Sequence, residues 1–533
     1  MADQQRVVIV GSGPSGLAAA VELGTRGIPC TLLERHARAG YAPRAKTTHT
    51  RTREHLRRWG IAGKLAAASP FGVDYPSHVV YVTRLAGQLI HRFDHALQCS
   101  PARDERYSEH GQWIPQYKLE TVLRDHALSL PGVEILFGQE FLGFDEDEAG
   151  LRIRVGAADG ERTIDAAYLI GADGARSAVR DAIGATMIGT YGLSRNYNTI
   201  FRAPGLAEAH PHGPGIMFIQ VNEDAPGLIG PMDEGDLWYF MPTGLAPGVT
   251  YTPDEAVDAI KRSTGIDLPY EVLSSDEWVA SRLLADRYRR GRVFLTGDAC
   301  HLHPPFGGFG MNMGIADSVD LGWKMAAVLQ GWGGPGLLDS YERERRPAHE
   351  FVLEESSANL AASPNALLRP GLEDDTAAGE AIRREVGEVI VQAKTAEFYA
   401  LGVVLGYCYA DSPVILGESE EAPRSRDYQP SSAPGCLAPH HWLDGDRSLY
   451  DLFGDGFTLL ALGATADALA AARAEAAATG TPLTVVEQDG EALRALYSAP
   501  LTLIRPDQHV AWRGASWPVG EDLLERVTGR GQA

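Results

Sequence analysis

The sequence has no excess of basic residues and no long apolar run. Lys and Arg total 48 against 70 Asp and Glu, which gives the 533-residue chain a formal net charge of −22. Such an acidic chain repels phosphate backbones, so nucleic acid is not an expected partner. The longest apolar stretch, 398–409, is shorter than the roughly 18 residues of a membrane-spanning helix, so we expect no membrane association.

Cysteine is scarce and scattered. The five cysteines are Cys30, Cys99, Cys300, Cys408 and Cys436, and none belongs to a Cys-x-x-Cys pair. An odd number without regular spacing is typical of a protein from a reducing compartment. The apolar run at 7–10 is too short for a signal-peptide core of roughly 7–15 residues. These features predict a protein of the reducing cytoplasm.

A glycine-rich turn lies near the N-terminus, between an apolar run and a helix-forming segment. Its residues are Gly11, Ser12, Gly13, Pro14, Ser15 and Gly16. In a dinucleotide-binding turn the first glycine permits the bend, the second lets the backbone approach a pyrophosphate, and the third lets helix and strand pack closely. The helix N-terminus then offers free N–H groups to phosphate oxygens. The turn alone does not distinguish FAD from NAD.

An acidic residue follows at the distance that such a turn requires. Glu34 ends a second apolar run, eighteen residues after Gly16, where its carboxylate can accept hydrogen bonds from ribose hydroxyls. Arg35 comes next and is placed to cover the adenosine. Strand, turn, helix, strand and acid thus occur in the order that dinucleotide binding needs.

Two later motifs repeat the pattern of an apolar strand that ends in glycine and aspartate. The first is Gly171-Ala172-Asp173-Gly174, and the second is Gly297-Asp298. After the second comes the stretch 304–312, Pro-Pro-Phe-Gly-Gly-Phe-Gly-Met-Asn, and then a helix-forming segment to about residue 329.

In this order, the three motifs resemble the single-component FAD-dependent aromatic hydroxylases. This group includes 4-hydroxybenzoate hydroxylase and phenol hydroxylase, and the match is best to the phenol and polyketide hydroxylase branch. The resemblance implies an α/β fold. Its parts are a Rossmann-like FAD-binding domain of the 4-hydroxybenzoate hydroxylase type, a mixed-sheet substrate domain and a C-terminal thioredoxin-like domain.

The resemblance also implies domain boundaries. We expect the FAD-binding domain to comprise 1–75, 105–185 and 282–346, and the substrate-binding sheet domain to comprise 76–104 and 186–281. A helical segment (347–420), a linker (421–434) and the thioredoxin-like tail (435–533) follow. The tail contains Cys436 as its single cysteine, so it has no dithiol for disulfide exchange. Its expected use is structural or as an assembly surface, which makes a homo-oligomer plausible.

Most of the predicted FAD contacts come from this resemblance. Asp298 is expected at the ribityl chain, Asp173 and Gly174 near the pyrophosphate and the nicotinamide route, and Arg44 on a mobile-flavin segment. The full predicted set is Gly11, Gly13, Pro14, Ser15, Gly16, Glu34, Arg35, Arg44, Gln116, Arg124, Asp173, Gly174, Gly297, Asp298, Pro305, Gly308, Gly310, Met311 and Asn312.

The implied reaction is hydroxylation of an electron-rich ring: a phenol, a hydroxypyridine or a polyketide-type intermediate. NADPH or NADH binds transiently and reduces the flavin, O₂ adds at the flavin C4a as a hydroperoxide, and the small aromatic substrate attacks its distal oxygen. A phenol must lose its proton to react well, so a base is expected. The candidates are His49, Arg51 and Tyr239, and the expected substrate pocket holds Trp238, Tyr239, Pro305, Phe306 and Gly307.

Other functions remain open at this point. A Baeyer–Villiger or epoxidation outcome fits the same scaffold, although the FxGxxxHxxxW signature and the halogenase Trp-x-Trp-x-Ile segment are absent from the sequence. A non-catalytic flavin-binding protein is the third possibility. His301 and His303 have the spacing of a metal pair that His49 or His91 would have to complete. No third ligand is obvious, so we predict no metal.

Overall fold

The computed structural model describes residues 6–37, 45–245, 249–360, 364–417 and 426–531. Within these ranges no helix is both long enough and apolar enough to cross a bilayer.

A six-stranded sheet forms the first core. Its strands in spatial order are β17 (Arg289–Arg290), β18 (Val293–Leu295), β11 (Tyr168–Gly171), β1 (Val7–Val10), β2 (Cys30–Glu34) and β7 (Val133–Phe137). From β18 to β7 all neighbours are parallel, and β17 pairs with β18 in the antiparallel sense. The central strands are continuous apolar runs because both faces of a parallel sheet are covered by helices.

Helices α1 (Pro14–Thr25), α4 (Gln116–Ser129) and α7 (Phe309–Leu329) lie beside this sheet, with α1 packed against both of the others. Nearby are the short elements β3 (Thr47–Thr48), β6 (Gln112–Trp113), α2 (Thr50–Arg58), α3 (Ala62–Ala67) and α5 (Ala178–Ala182). A three-stranded meander, β8 (Glu140–Glu146), β9 (Leu151–Ala157) and β10 (Gly160–Ala166), flanks β2 and α5. This is the predicted Rossmann-like FAD-binding architecture.

An eight-stranded mixed sheet forms the second core. In spatial order it contains β19 (His301–Leu302), β16 (Glu271–Ala285), β12 (Met187–Arg202), β15 (Leu237–Pro242), β14 (Gly227–Asp233), β13 (Met217–Gln220), β4 (Val79–Val82) and β5 (Leu89–Phe93). Helix α6 (Pro253–Thr264) covers one face, where Trp238 packs with Phe240 and Ile260. Tyr239 packs on the other face with Trp113.

The positions of Trp238 and Tyr239 correct one prediction. Both were expected to line the substrate pocket, but successive side chains of a strand point to opposite faces of a sheet. Tyr239 faces Trp113 of β6, whereas Trp238 is buried under α6. Trp238 therefore does not share a pocket wall with Tyr239.

Three helices connect this region to the C-terminal part. They are α8 (Pro335–Leu360), α9 (Ala377–Phe398) and α10 (Leu401–Leu405), and α9 lies along the edge strand β5. The C-terminal sheet has the order β21 (Leu483–Gln488), β20 (Phe457–Leu462), β22 (Leu501–Ile504), β23 (Val510–Gly514). Its helices are α11 (Ala466–Thr479), α12 (Glu491–Tyr497) and α13 (Leu523–Val527). The likeness of this unit to thioredoxin stays a prediction.

The structure pairs two of the five cysteines, which the sequence did not predict. Cys408, which follows α10, forms a disulfide with Cys436 at the start of the C-terminal unit, while Cys30, Cys99 and Cys300 are free and buried. The pairing joins residues 28 apart in sequence, a separation that carries no motif. Of the expected linker, residues 426–434 are described and are partly packed, with Tyr428 buried and the Ser432 hydroxyl donating to the Tyr497 carbonyl.

Candidate functional site

The glycine turn between β1 and α1 is tightly packed at two glycines and open at the third. Gly11 has φ of +104°, and a Cβ there would collide with the Ala172 carbonyl oxygen. A Cβ at Gly16 would collide with the Gly11 carbonyl oxygen, whereas one at Gly13 would meet nothing within 4 Å. The backbone is therefore accessible at Gly13, where α1 begins and its free N–H groups can receive a phosphate.

Glu34 lies beside this turn. Its carboxylate accepts hydrogen bonds from the Ser12 amide at 3.1 Å and the Ser12 hydroxyl at 2.7 Å, and from the His36 amide at 2.9 Å. The acid is thus fixed at the end of β2, next to the open turn, in the place expected for a ribose contact. Arg35 is exposed at the same edge.

Asp173 stabilises the second motif by accepting hydrogen bonds from residues that follow it in the same turn. Its carboxylate accepts hydrogen bonds from the Ser177 hydroxyl and, at 3.1 Å, from the Val179 amide, which closes the turn that precedes α5. Burial raises the pKa of this carboxyl group despite those bonds. Gly174 has φ of +80°, which favours glycine. Asp173 therefore shapes the turn next to Gly11.

The third motif meets the first at a contact that admits no side chain. Gly297, with φ of +61°, and Gly314 of α7 lie so close to Ser15 that a Cβ on either would collide with the Ser15 hydroxyl. Asp298 is exposed at the turn, directly beside this contact. The N-terminus of α1 and the Gly297-Asp298 turn are therefore neighbours, as one extended dinucleotide would require.

Asn312 connects the proline-glycine loop to the segment 45–49. Its side-chain oxygen accepts from the His49 amide at 2.8 Å and the Thr52 hydroxyl at 2.7 Å. Its side-chain nitrogen donates to the Thr47 carbonyl at 3.0 Å and the Gly308 carbonyl at 2.8 Å. All the hydrogen-bonding positions of a buried amide are thus used, and the loop is held at the first turn of α7.

His49 holds the same loop from the other side. Its Nε2 lies 2.9 Å from the Gly307 carbonyl oxygen, and its ring packs edge-on against Phe309 with centroids 5.4 Å apart. Burial lowers the pKa of His49 to about 4, so the imidazole is neutral and donates its Nε2 proton. His49 therefore positions the loop, and as a base toward a phenol it would be weak.

Gln116 anchors the other end of the segment 45–49. Its side-chain oxygen accepts from the Ala45 amide at 3.1 Å, and the backbone amide of Gln116 donates to the Ala45 carbonyl at 3.0 Å. Arg44, one residue earlier, lies outside the described residues. Arg124, two turns along α4, contacts the Thr121 hydroxyl at 3.3 Å on the outer surface.

Arg51 is directed away from the loop. Its guanidinium donates to the Glu54 carboxylate at 3.0 Å, the Gln508 side chain at 2.6 Å and the Asp507 carbonyl at 2.6 Å. Gln508 and Asp507 belong to the C-terminal unit, so Arg51 fastens that unit to α2. The proposal of Arg51 as a catalytic candidate is corrected: both terminal nitrogens of its guanidinium are hydrogen-bonded to Glu54 and to residues 507 and 508, so they are not directed at the loop.

Sequence reasoning missed three charged residues around the loop. Glu397 accepts a hydrogen bond from the Gly307 amide and pairs at 2.7 Å with Lys394, whose Nζ lies 5.2 Å from the centroid of the Phe306 ring. Lys46 places its Nζ 4.0 Å from the centroid of the Tyr239 ring. A lysine two residues after Arg44 and a Lys-x-x-Glu near the end of a helix are weak signals, although both could be found in the sequence.

The histidines considered for a metal lie together behind this loop. His301, His303 and His349 have ring nitrogens within 4.8 Å of one another, and His301 and His349 stack with centroids 3.8 Å apart. His349 replaces the suggested His49 or His91. Both stacked rings point Nε2 at the Asp317 carboxylate, at 2.9 and 2.8 Å. These hydrogen bonds account for the stack without an ion, and the absence of a metal stays a prediction.

Two family profiles match the chain. An FAD-binding-domain profile covers residues 4–356, and a profile for the C-terminal region of aromatic-ring hydroxylases covers residues 431–530. A tetracenomycin B2 monooxygenase-dioxygenase from Streptomyces olivaceus is 34% identical, over 98% of this chain and 98% of its own length.

Two solved structures are similar over the whole chain. The rebeccamycin biosynthetic enzyme RebC, solved with reduced flavin, has a TM-score of 0.90 and 34% identity over 99% of both chains. An aklavinone-11 hydroxylase, solved as a ternary complex with FAD and aklavinone, has a TM-score of 0.84 and 30% identity over 98% of both chains.

Proposed function

This chain belongs to the FAD-dependent aromatic-ring hydroxylases, and from that membership we propose that its substrate is a polycyclic phenol of the aromatic polyketide type. The reaction class is the one this family performs: an FAD-dependent monooxygenase consumes NADPH or NADH and O₂ and hydroxylates an aromatic ring. The two alternatives, a related oxygen insertion and a non-catalytic flavin-binding role, are not favoured.

The observation that carries the proposal is the convergence of the three motifs. Ser15, Gly297 and Gly314 touch one another, so the pyrophosphate end of the site and the Asp298 turn are continuous. The residues fit FAD at both ends: Gly13 is accessible beside Glu34, and the loop 305–308 is braced where the isoalloxazine is expected. The flavin, once bound, supplies the hydride acceptance and the oxygen activation.

The protein's own contribution is to hold the loop and exclude water. His49 and Glu397 bind the carbonyl and the amide of Gly307, which fixes the peptide orientation beside the reacting ring. Asn312 fixes the adjoining Gly308 carbonyl. These three hydrogen bonds hold the loop in one position, so it can help to keep water out of the site. Excluding water protects reactive intermediates from hydrolysis.

The substrate class rests on the wall opposite the loop and on the relatives. Tyr239 and Tyr81 lie on one buried face of the eight-stranded sheet, and Trp113 of β6 packs in the same cluster, an aromatic group suited to stacking against a flat ring system. The enzymes matched over the whole chain include ones named for tetracenomycin B2 and aklavinone. We extend that substrate class, a fused polycyclic phenol, to this protein.

A substrate panel tests the proposal. Purified protein with FAD is supplied with NADPH or NADH and with phenol, 3-hydroxypyridine and hydroxylated anthraquinones, and each matched methoxy compound serves as the control that cannot ionise. We expect the hydroxyanthraquinones to accelerate NAD(P)H oxidation and to gain one oxygen atom. Acceleration by phenol or hydroxypyridine alone would contradict the polyketide-type substrate, and no acceleration by any compound would contradict the activity.

A further inference from the structure

Lys46 is a half-buried lysine whose ammonium lies against an aromatic ring. It lies in the segment 45–49, between Ala45, which Gln116 binds, and Thr47, whose carbonyl accepts a hydrogen bond from Asn312. The residues on both sides of Lys46 are therefore hydrogen-bonded to Gln116 and Asn312, which are predicted to contact the flavin. Its side chain extends the other way, and Nζ stands 4.0 Å from the centroid of the Tyr239 ring.

The two fully buried lysines of the described residues both have carboxylate partners. Lys324 pairs with Asp320 at 2.8 Å and with Glu344 at 2.5 Å, and Lys394 pairs with Glu397 at 2.7 Å. Lys46 has no carboxylate within ion-pair distance among the described residues. Taking an ammonium partly out of water without a counter-ion is unfavourable, and this desolvation lowers the pKa of Lys46 to about 8.

Tyr239 does not supply the missing negative charge. Its hydroxyl donates to the Ile216 carbonyl at 3.1 Å, and burial raises its pKa, so the ring stays neutral. The ring face offers Lys46 a cation–π contact, which is weaker than an ion pair. Lys46 can therefore bind an anion or accept an acidic proton. It lies between the segment that holds the loop 305–308 and the aromatic cluster that contains Tyr239.

We propose that Lys46 binds the ring hydroxyl of the substrate and holds it as a phenolate. This inference rests on the proposed function. In its unprotonated form the amine takes the phenolic proton: the substrate O–H bond breaks, an N–H bond forms on Nζ, and neither partner is oxidised or reduced. The resulting ammonium–phenolate pair gives Lys46 its counter-ion, and the phenolate makes the ring a stronger nucleophile. Lys46 would be the base that the sequence left unidentified.

The experiment follows the ionisation of a bound coloured phenol. The probe is 2-hydroxyanthraquinone, whose absorbance changes when it ionises, and 2-methoxyanthraquinone is the form that cannot ionise. The FAD-loaded protein is titrated from acid to alkaline pH without NADPH, so no turnover occurs. An opposite charge within hydrogen-bond distance lowers a pKa by about 1–3 units. We expect a decrease of that size for the probe bound to the unmodified protein.

Three variants distinguish a role of Lys46 in substrate ionisation from a purely structural role. Lys46→Met should return the probe pKa to its value in water or above, while Lys46→Arg, which keeps the cation, should keep most of the decrease. Lys118→Met is the matched control: its Nζ pairs with Asp233 at 3.0 Å at a partly exposed site, and the probe pKa should not move. Because Lys46→Met removes a half-buried amine that has no carboxylate partner among the described residues, its thermal midpoint should stay equal or rise.

The outcomes are distinguishable from failure of the proposed function. If the unmodified protein binds neither anthraquinone, the polyketide-type substrate class is refuted and this inference with it. If both bind and Lys46→Met leaves the probe pKa lowered, the inference alone is overturned. A fall in thermal midpoint with an unchanged probe pKa would assign Lys46 a purely structural role against Tyr239.

Discussion

Arg505→Met should detach the C-terminal unit from the flavin-binding part. Arg505 follows β22, is 2% exposed, and donates to Glu344 of α8 at 2.8 and 2.9 Å, to Asp320 of α7 at 2.8 Å and to Asp507 at 2.6 Å. Lys324 completes the cluster by binding Asp320 and Glu344. One guanidinium thus joins the C-terminal unit to two helices of the first core.

The charges around Arg505 determine how much stability the substitution Arg505→Met should remove. Two cations face three carboxylates in a buried site, so one carboxyl is expected to keep its proton. Asp320 fits this role, since burial and neighbouring Glu344 raise its pKa to about 8, while Arg505 and Lys324 hold the pKa of Glu344 low. Removing Arg505 leaves one cation among three carboxylates. Breaking a buried ion pair in this way costs about 3–5 kcal/mol.

The pH dependence has a definite sign. Asp320 keeps its proton in the folded protein up to about pH 8, whereas an unfolded Asp releases it near pH 4. The stability from that proton is complete below about pH 4 and is lost as the pH rises to about 8. With Arg505 gone, the remaining carboxylates repel more strongly, so the variant should lose more stability than the unmodified protein over this window.

Thermal unfolding and limited proteolysis measure this prediction. For a unit of about 100 residues, a loss of 3–5 kcal/mol lowers the unfolding midpoint by more than about 10 °C. Cleavage near the start of the C-terminal unit should accelerate together with it. Arg494→Met is the control, because Arg494 forms an exposed pair with Asp489 that contributes at most about 1 kcal/mol. An Arg505→Met protein as stable as this control at pH 8 would refute the charge-balance reasoning.

Three further perturbations follow from the site and the fold. Gly16→Ala places a methyl group against the Gly11 carbonyl and should weaken FAD binding at least about tenfold, about 1.4 kcal/mol, by fluorescence titration; unchanged affinity would contradict the close-packing argument. Asp298→Ala should lose the yellow chromophore on gel filtration while the exposed acid control Asp181→Ala keeps it, and a fully yellow variant would show that the ribityl assignment is wrong. In the oxidised protein, Cys408→Ser should lower the free energy of unfolding by about 2–4 kcal/mol; thiol titration of the unmodified protein in denaturant should find the three free cysteines, and five would contradict the disulfide.

The three glycine motifs could be predicted because their function depends on local backbone geometry. A residue such as Gly16, where any Cβ collides with the preceding turn, leaves a fixed pattern in the sequence whatever surrounds it. The strand and helix around it carry the matching hydrophobic pattern. The family and the reaction class were therefore predictable from these motifs, and the comparisons confirm them.

The side-chain assignments failed where tertiary context decides. Trp238 and Tyr239 are adjacent in sequence, and only the position of α6 determines which of them is covered. Arg51 was placed near the flavin because of its neighbours in sequence, but its partners come from residues 507 and 508. Lys46 and the disulfide of Cys408 were missed for the same reason: their contacts join segments that are far apart in the chain.

Labelled dioxygen tests the central claim most directly. The FAD-loaded protein, NADPH and a hydroxyanthraquinone that stimulates NADPH oxidation are combined under heavy-isotope O₂, and the product is analysed by mass spectrometry. A monooxygenase that hydroxylates an aromatic ring predicts one labelled atom in the product for each NADPH consumed in coupled turnover, with the ring system intact. Label found only in hydrogen peroxide or water, or two labelled atoms in a cleaved ring, would contradict the account.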